Sequence, residues 1–265
     1  MTRTWLITGA SRGLGRAFAK AALERDDRVA GLARGELPEG VEPYRVDVTD
    51  RDAVFAAFDA VGPLDVVVNN AGTMTLGMVE EFDEAAARDA LETNFFGALW
   101  VAQAAAGRLR EQGSGHLIHI SSIGALGGHP STGLYSASKF ALEGMAEALA
   151  AELASFGVKS TIVEPGGYWT ELYTRMRMME PMAQYAPLRA ELERQWADGS
   201  IDSDPALAAE ALLKLVDADD PPLRLLLGSA IFDMAVALTE QRIETWRSWE
   251  TVSRAAEQAI PQSAL

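Results

Sequence analysis

Short apolar runs alternate with longer amphipathic segments along most of this 265-residue chain. Parallel strands need a crossover long enough to hold a helix, so this alternation predicts strand-helix units built into one parallel sheet. The runs expected as strands are Trp5 to Thr8, Arg28 to Ala33, Glu42 to Val46, Asp65 to Asn69, His116 to Ser121, Lys159 to Glu164 and Leu223 to Leu227. Helical patterns fill Leu14 to Arg25, Asp50 to Ala60, Ala85 to Gln112, Ser136 to Phe156 and Pro205 to Ala218, and a long final one starts near Ile231. The expected fold class is α/β, a doubly wound sheet of about seven parallel strands with helices on both faces. Turn chemistry agrees, with Asp50 as an N-cap, Gly62-Pro63 as a helix stop, Gly157 past a helix end and Pro205 opening a helix after Asp204. No repeat, linker or composition break divides the chain, so a single domain over 1–265 is expected.

The first strand ends in Thr8-Gly9-Ala10-Ser11-Arg12-Gly13-Leu14-Gly15 and opens straight into a helix. Glycines let a backbone turn tightly and approach a pyrophosphate, while the helix N-terminus offers free amides and partial positive charge. The spacing is G-x-x-x-G-x-G, not the commoner G-x-G-x-x-G. Strand, glycine turn, helix and second strand in that order favour a dinucleotide site over a bare glycine-rich turn. A carboxylate at the end of the second strand would bind the 2′-hydroxyl of NAD and repel the 2′-phosphate of NADP. This chain has Ala33-Arg34 there, and Arg34 with Arg12 can grip a phosphate bidentately. Each arginine alone also reads as a surface charge; together, with no competing acid, they favour NADP(H).

Composition removes other functions. Apolar residues at 48% and charged residues at 23% describe a folded globular chain. A net charge of -15 and a pI near 4.6 leave no concentrated positive face for nucleic acid or an anionic membrane. The absence of cysteine excludes disulfides, thiolate metal sites and thiol nucleophiles. His116 and His119 fall on opposite faces of one strand with no acidic cluster beside them, so no metal is expected. His129 reads as a surface loop residue, with the rim of a substrate pocket as the alternative. The apolar run Trp5 to Ile7 is too short for a secretory signal and Phe95 to Gly107 too short for a membrane span, which leads to the expectation of a cytoplasmic protein.

Tyr135 and Lys139 stand one helical turn apart, and Ser122 lies thirteen residues upstream of the tyrosine. A phenol that trades protons near neutral pH must lose part of its usual pKa of about 10, and a cation on the same helix face stabilises the phenolate. With five tyrosines and four lysines, chance alone places such a pair in about one chain in a dozen, so its meaning depends on its surroundings.

Those surroundings resemble the short-chain dehydrogenase/reductase family, in its compact single-domain branch, from Arg3 to Thr170. The matching blocks are Thr8 to Gly15, Asp47 with Val48, Asn69-Asn70-Ala71-Gly72, Asn94, Ile120-Ser121-Ser122, Tyr135 to Lys139 and Pro165-Gly166. The resemblance implies a Rossmann-type fold and hydride transfer between NADP(H) and a ketone or secondary alcohol. Gly9, Ser11, Arg12, Gly13, Leu14 and Gly15 would cradle the cofactor, and Arg34 would take its 2′-phosphate. Asp47 and the Val48 backbone would meet adenine, with a helix-capping carboxylate as the other reading of Asp47. Asn69, Ala71 and Gly72 would run along the ribose, while Asn70 braces the sheet. Ser122 would hydrogen-bond the substrate carbonyl, Tyr135 would donate its proton, and Lys139 would lower the phenol pKa and bind ribose hydroxyls. Ser121 is read as structural. Asn94 is unfavourable inside an apolar helix and wants a partner; the resemblance gives it a water that links Lys139 to solvent. Pro165 and Gly166 would shape the nicotinamide pocket and Thr170 would contact the carboxamide, although Gly-Gly-Tyr-Trp-Thr departs from the family's usual form here.

Every catalytic position is filled, so an active enzyme is expected rather than a non-catalytic NADP-binding regulator or scaffold. Dehydration or epimerisation of a sugar nucleotide is disfavoured, because the branches that do this carry an extra C-terminal domain. The resemblance also implies a homodimer or homotetramer built on Ala85 to Gln112 and Ser136 to Phe156. A substrate lid is expected at about 171–204, where Leu172, Tyr173, Met176, Met178, Met179, Met182, Tyr185, Leu188, Leu192 and Trp196 gather. Methionines adapt to irregular apolar partners, which suits a hydrophobic carbonyl or alcohol such as a steroid, retinoid, aromatic ketone or polyketide. The other reading is plain core beneath a surface helix. Arg175 and Arg177 could meet an acidic substrate group or simply face solvent. Trp246 and Trp249 have two readings, packing on the domain or a subunit contact.

Overall fold

The computed structural model describes residues 2–199 and 202–257, without the side chains of 196–199, so the lid expectation for Trp196 lies outside the described residues. The chain opens with β1 (Thr4–Thr8), α1 (Gly13–Leu23), β2 (Arg28–Ala33), β3 (Glu42–Arg45) and α2 (Arg51–Val61). It continues through β4 (Val66–Asn69), β5 (Thr75–Leu76), α3 (Glu84–Leu91), α4 (Ala98–Gln112), β6 (Gly115–Ile120), α5 (Gly133–Ala154) and β7 (Val158–Pro165). After β7 come α6 (Leu172–Arg175), β8 (Arg177–Met178), α7 (Ala186–Gly199), α8 (Pro205–Asp217), β9 (Arg224–Leu227), α9 (Ser229–Ser248) and α10 (Glu250–Ala255).

Seven strands form one parallel sheet in the order β3-β2-β1-β4-β6-β7-β9. Each corresponds to an expected run. Successive side chains on a strand leave opposite faces, and here alternate residues enter two different cores. Trp5, Ile7, Val66, Val68, Ile118 and Ile120 pack under α1 and α8 with Phe18 and Leu212. Leu6, Val67 and Leu117 pack on the other face under α2 and α4 with Phe58, Val101 and Leu109. Trp5 is fully buried and donates its indole N–H to Asp27 Oδ2 at 2.9 Å, so its one polar atom is satisfied.

The helix ends follow the expected chemistry. Asp50 caps α2 by accepting from Ala53 N, Asp204 caps α8 from the residue before Pro205, and Gly62 and Gly157 take positive φ. The helix expected over Ala85 to Gln112 is not continuous. A π-helical turn over Glu92–Gly97 divides α3 from α4. The two-residue strands β5 and β8 pair in a separate parallel ribbon that sequence periodicity is too short to show. Trp246 and Trp249 are exposed, which overturns the reading that they pack on the domain. No helix among the described residues is long and apolar enough to cross a membrane.

Candidate active site

In the sheet the chain runs from β1 outward to β2 and β3, then returns to build β4, β6, β7 and β9 on the other side. Connections that leave in opposite directions open a crevice at the carboxyl ends of β1 and β4. A cleft of about 380 Å3 lies there. Gly9, Ser11, Arg12, Gly13, Leu14, Arg34, Asp47, Val48, Ala71 and Gly72 line it along with Ser122, Tyr135, Lys139, Pro165, Gly166 and Thr170.

Gly9 and Gly13 adopt φ of +68° and +54°, which side chains rarely tolerate. Arg16 N is the amide that bonds back to Arg12 O, so the amides of Gly13, Leu14 and Gly15 come before the helix ladder. Thr8 Oγ1 accepts from Asn70 N and Ala71 N, each at 2.9 Å, and Asn70 Nδ2 donates to Thr8 O at 2.9 Å. These bonds tie the ends of β1 and β4 together across the crevice, which is the bracing expected of Asn70. Thr8 was not anticipated, since a threonine closing an apolar strand carries no signal of what its hydroxyl will meet. At the carboxyl end of β2 Arg34 reaches Asp47 Oδ2 at 3.5 Å. Asp47 also accepts from Thr49 N and Thr49 Oγ1; it does not cap α2, since Asp50 does. Burial, Arg175 and Arg34 together lower the Arg12 pKa, so these guanidiniums share one field, and Glu171 opposes them.

At the other end, α5 presents Tyr135, Lys139 and Glu143 at successive turns. Lys139 Nζ donates to Ile120 O at 2.9 Å and lies 5.8 Å from the centre of the Tyr135 ring. Burial lowers Lys139 to about 8, with Glu143 opposing, so the lysine is still mainly cationic at pH 7. Burial raises the Tyr135 phenol and a hydrogen bond with Ser122 pulls it back. Ser121 Oγ donates to Glu143 Oε1 at 2.5 Å, which makes it structural as expected. Arg224 of β9 joins Glu143, Glu147 and Glu164 in a half-buried cluster.

Three expected site residues do not line the cleft. Gly15 packs under the turn, where a Cβ would lie 2.4 Å from Gly9 O. Asn69 is turned away, its amide donating to Ala98 O at 2.8 Å and meeting His119. Asn94 sits buried in the π turn, where Nδ2 donates to Thr73 O and Ser138 Oγ and Oδ1 accepts from Thr73 N. His116 and His119 are buried apart, against Thr161 and Asn69, and no metal-holding cluster exists among the described residues. His129 is exposed and outside the cleft.

A second cavity of about 650 Å3 adjoins the cleft and shares Met74, Gly166, Gly167, Tyr168 and Tyr173 with it. Leu76, Trp169, Met176, Leu227, Ile231 and Met234 give it apolar walls. The segment that covers it is not core, because none of residues 171–195 is buried. Tyr173 donates to Asp202 at 3.0 Å and is pushed up to about 12 by burial and that bond. Arg177 is held by Asp83 and Asp89 on the surface.

A doubly wound sheet whose crevice has a glycine turn at one end and a serine, tyrosine and lysine at the other defines a class of nucleotide-cofactor oxidoreductases. Residues 3–181 match the family described as short chain dehydrogenase, and the chain belongs to the short-chain dehydrogenase/reductase family. It is 36% identical to Oxidoreductase BOA17 of Botryotinia fuckeliana over 97% of this chain and 100% of that one. A crystal structure of a short-chain dehydrogenase from Streptomyces avermitilis superposes with a TM-score of 0.88 at 36% identity, covering 97% of this chain and 99% of that one. A relative from Burkholderia cenocepacia, solved in complex with NADP, gives 0.76 at 27% identity over 93% and 97% of the two chains. The fold itself admits the other cofactor: a Burkholderia phymatum structure in complex with NAD gives 0.77 at 23% identity over 92% and 95%.

Proposed function

We propose that this oxidoreductase transfers hydride between NADP(H) and a hydrophobic ketone or secondary alcohol. The observation that carries the reading is the convergence of Ser122, Tyr135 and Lys139 on the same cleft whose far end holds Arg12 and Arg34. The residues present fit the cofactor. Amides precede the ladder of α1, Arg12 and Arg34 line the cleft and could take a 2′-phosphate, and Glu36, the nearest acid in sequence, does not line it. When bound, the nicotinamide supplies or accepts the hydride.

The protein's own groups handle the proton. Ser122 donates a hydrogen bond to the carbonyl oxygen and orients it towards Tyr135. Burial keeps the phenol protonated, which suits donation to the oxygen during reduction. Lys139 spends one N–H on Ile120 O and keeps two for ribose hydroxyls and water. Its charge favours the phenolate left after donation. Asn94 Oδ1 and Lys139 Nζ both lie beside Gly72, and the oxygen retains a lone pair for a water through which the proton is replaced. The Met- and Tyr-bearing stretch from 171 to 204 acts as the lid, and the apolar second cavity takes the body of the substrate. Exposed Phe96 in the π turn before α4, Phe140 on α5 and Phe156 just past α5 support pairing with another copy through this side of the molecule.

The test is NADPH oxidation across a panel of hydrophobic ketones, with Tyr135→Phe alongside. Turnover should fall at least about a thousandfold while NADPH still binds, because the variant lacks only the proton donor. Retained turnover would remove Tyr135 from the mechanism. NADPH binding without turnover on any ketone would point instead to a regulator or scaffold.

A further inference from the structure

The glycine turn carries an anion of the protein's own. Glu171, between Thr170 and α6, accepts a hydrogen bond from Gly13 N through Oε2 at 3.0 Å, and its Oε1 lies 3.8 Å from Arg16 Nη1. Gly13 N belongs to the set of amides that a pyrophosphate would need. The contact is a fitted one. A Cβ on Gly13 would stand 3.4 Å from Thr170 Cβ, so the segment after β7 is seated directly on the turn. Glu171 is held below the usual carboxylate range by its own backbone amide, by Gly13 N–H and by Arg16 and Arg12, and is therefore anionic at neutral pH. Arg12, Arg34 and Arg175 line the same cleft, and the Glu171 carboxylate is the charge that offsets Arg12.

We propose that Glu171 is an internal stand-in for the cofactor's pyrophosphate, which must displace the carboxylate from Gly13 N in order to seat. The proposal rests on the NADP(H) reading above. Two anions cannot share one amide, and the incoming group restores the charge that Glu171 withdraws. Glu171 thus lowers cofactor affinity and keeps the arginines compensated until the cofactor arrives.

The test is fluorescence titration of the full chain with NADPH and, separately, with adenosine 2′-phosphate, which reaches the arginines and has no pyrophosphate. Glu171→Gln should bind NADPH about tenfold more tightly, and Glu171→Ala should move the same way, because a charged competitor for the amide is gone. Adenosine 2′-phosphate should gain much less, because it meets the arginines that Glu171 offsets but makes no demand on Gly13 N. Unchanged or weaker NADPH binding in the variants would overturn the stand-in while leaving the cofactor reading intact. Equal tightening towards both ligands would overturn it too, as a general charge effect. A wild type that binds no NADPH would overturn both readings.

Discussion

The sheet and the stretch from 171 to 199 are made on opposite principles. In the sheet, β1, β4 and β6 are buried on both faces and their register is fixed by cores above and below. In the later stretch no described residue is buried, and the chain is pinned at points. Glu81 accepts from Met78 N and Met182 N and pairs with Arg189, Tyr185 donates to Glu80, Arg177 pairs with Asp83, and β8 leans on β5. The end of the cleft proposed for the cofactor stands on the first kind of support and the end proposed for the substrate on the second. Packed cores resist displacement, whereas a chain held by a few polar contacts and no buried residue of its own opens at lower cost. One region can hold a constant dinucleotide and the other can admit differently shaped substrates.

The largest effect should come from the sheet. Trp5→Ala removes a fully buried indole and leaves Asp27 short of a partner, so denaturant unfolding should show a loss of about 4 kcal/mol. A loss below 1 kcal/mol, a threshold set roughly by surface substitutions, would erase the contrast. Acid should act on the same region. His116 and His119 are buried and burial holds each near 4, below the ordinary 6.5. A group with a depressed folded pKa contributes fully above the unfolded pKa and loses that contribution as pH falls through the window down to the folded value. Unfolding free energies from urea titration at pH 7 and pH 5 should therefore differ by about 2 kcal/mol per histidine, with the higher stability at pH 7.

The next effect sharpens the distinction between exposed and idle. Arg34 is exposed, yet Arg34→Asp should weaken NADPH use against NADH by at least about tenfold in kcat/KM, since a carboxylate repels the 2′-phosphate. A wild type that already uses NADH better would refute the assignment. The smallest effect belongs to the pinned stretch. Leu188→Ala, on the exposed helix α7, should change unfolding free energy by no more than about 0.5 kcal/mol. A larger loss would show that α7 shares the sheet's core.

Legibility divides along the same line. The central strands could be read because buried strands force continuous apolar runs, whereas the exposed edge strand β3 is placed by its position between helical patterns; the cleft residues could be read because phosphate and proton chemistry restrict residue type. The sequence marks that Gly15, Asn69 and Asn94 matter, but a motif does not say whether a side chain touches a ligand or props the one that does. Gly15 lets α1 settle on Gly9, Asn69 ties β4 to α4, and Asn94 holds Thr73. The π turn at Glu92–Gly97 and the β5-β8 ribbon escaped because each spans no more than about one or two periods, too few for a pattern to repeat. Glu171 escaped because its partner, Gly13, is 158 residues away.

Arg224 has a consequence in time. It lies on the last strand of the sheet, yet it neutralises Glu143, which stands one turn from Lys139, and Glu164 at the end of β7. A growing chain that has emerged only as far as residue 200 contains the glycine turn and the whole Ser122-Tyr135-Lys139 set. It does not yet contain β9, whose Arg224 neutralises Glu143 and Glu164 in the finished fold. The residues of the glycine turn and of the Ser122-Tyr135-Lys139 set are therefore synthesised before the cation that balances the carboxylate one turn from Lys139.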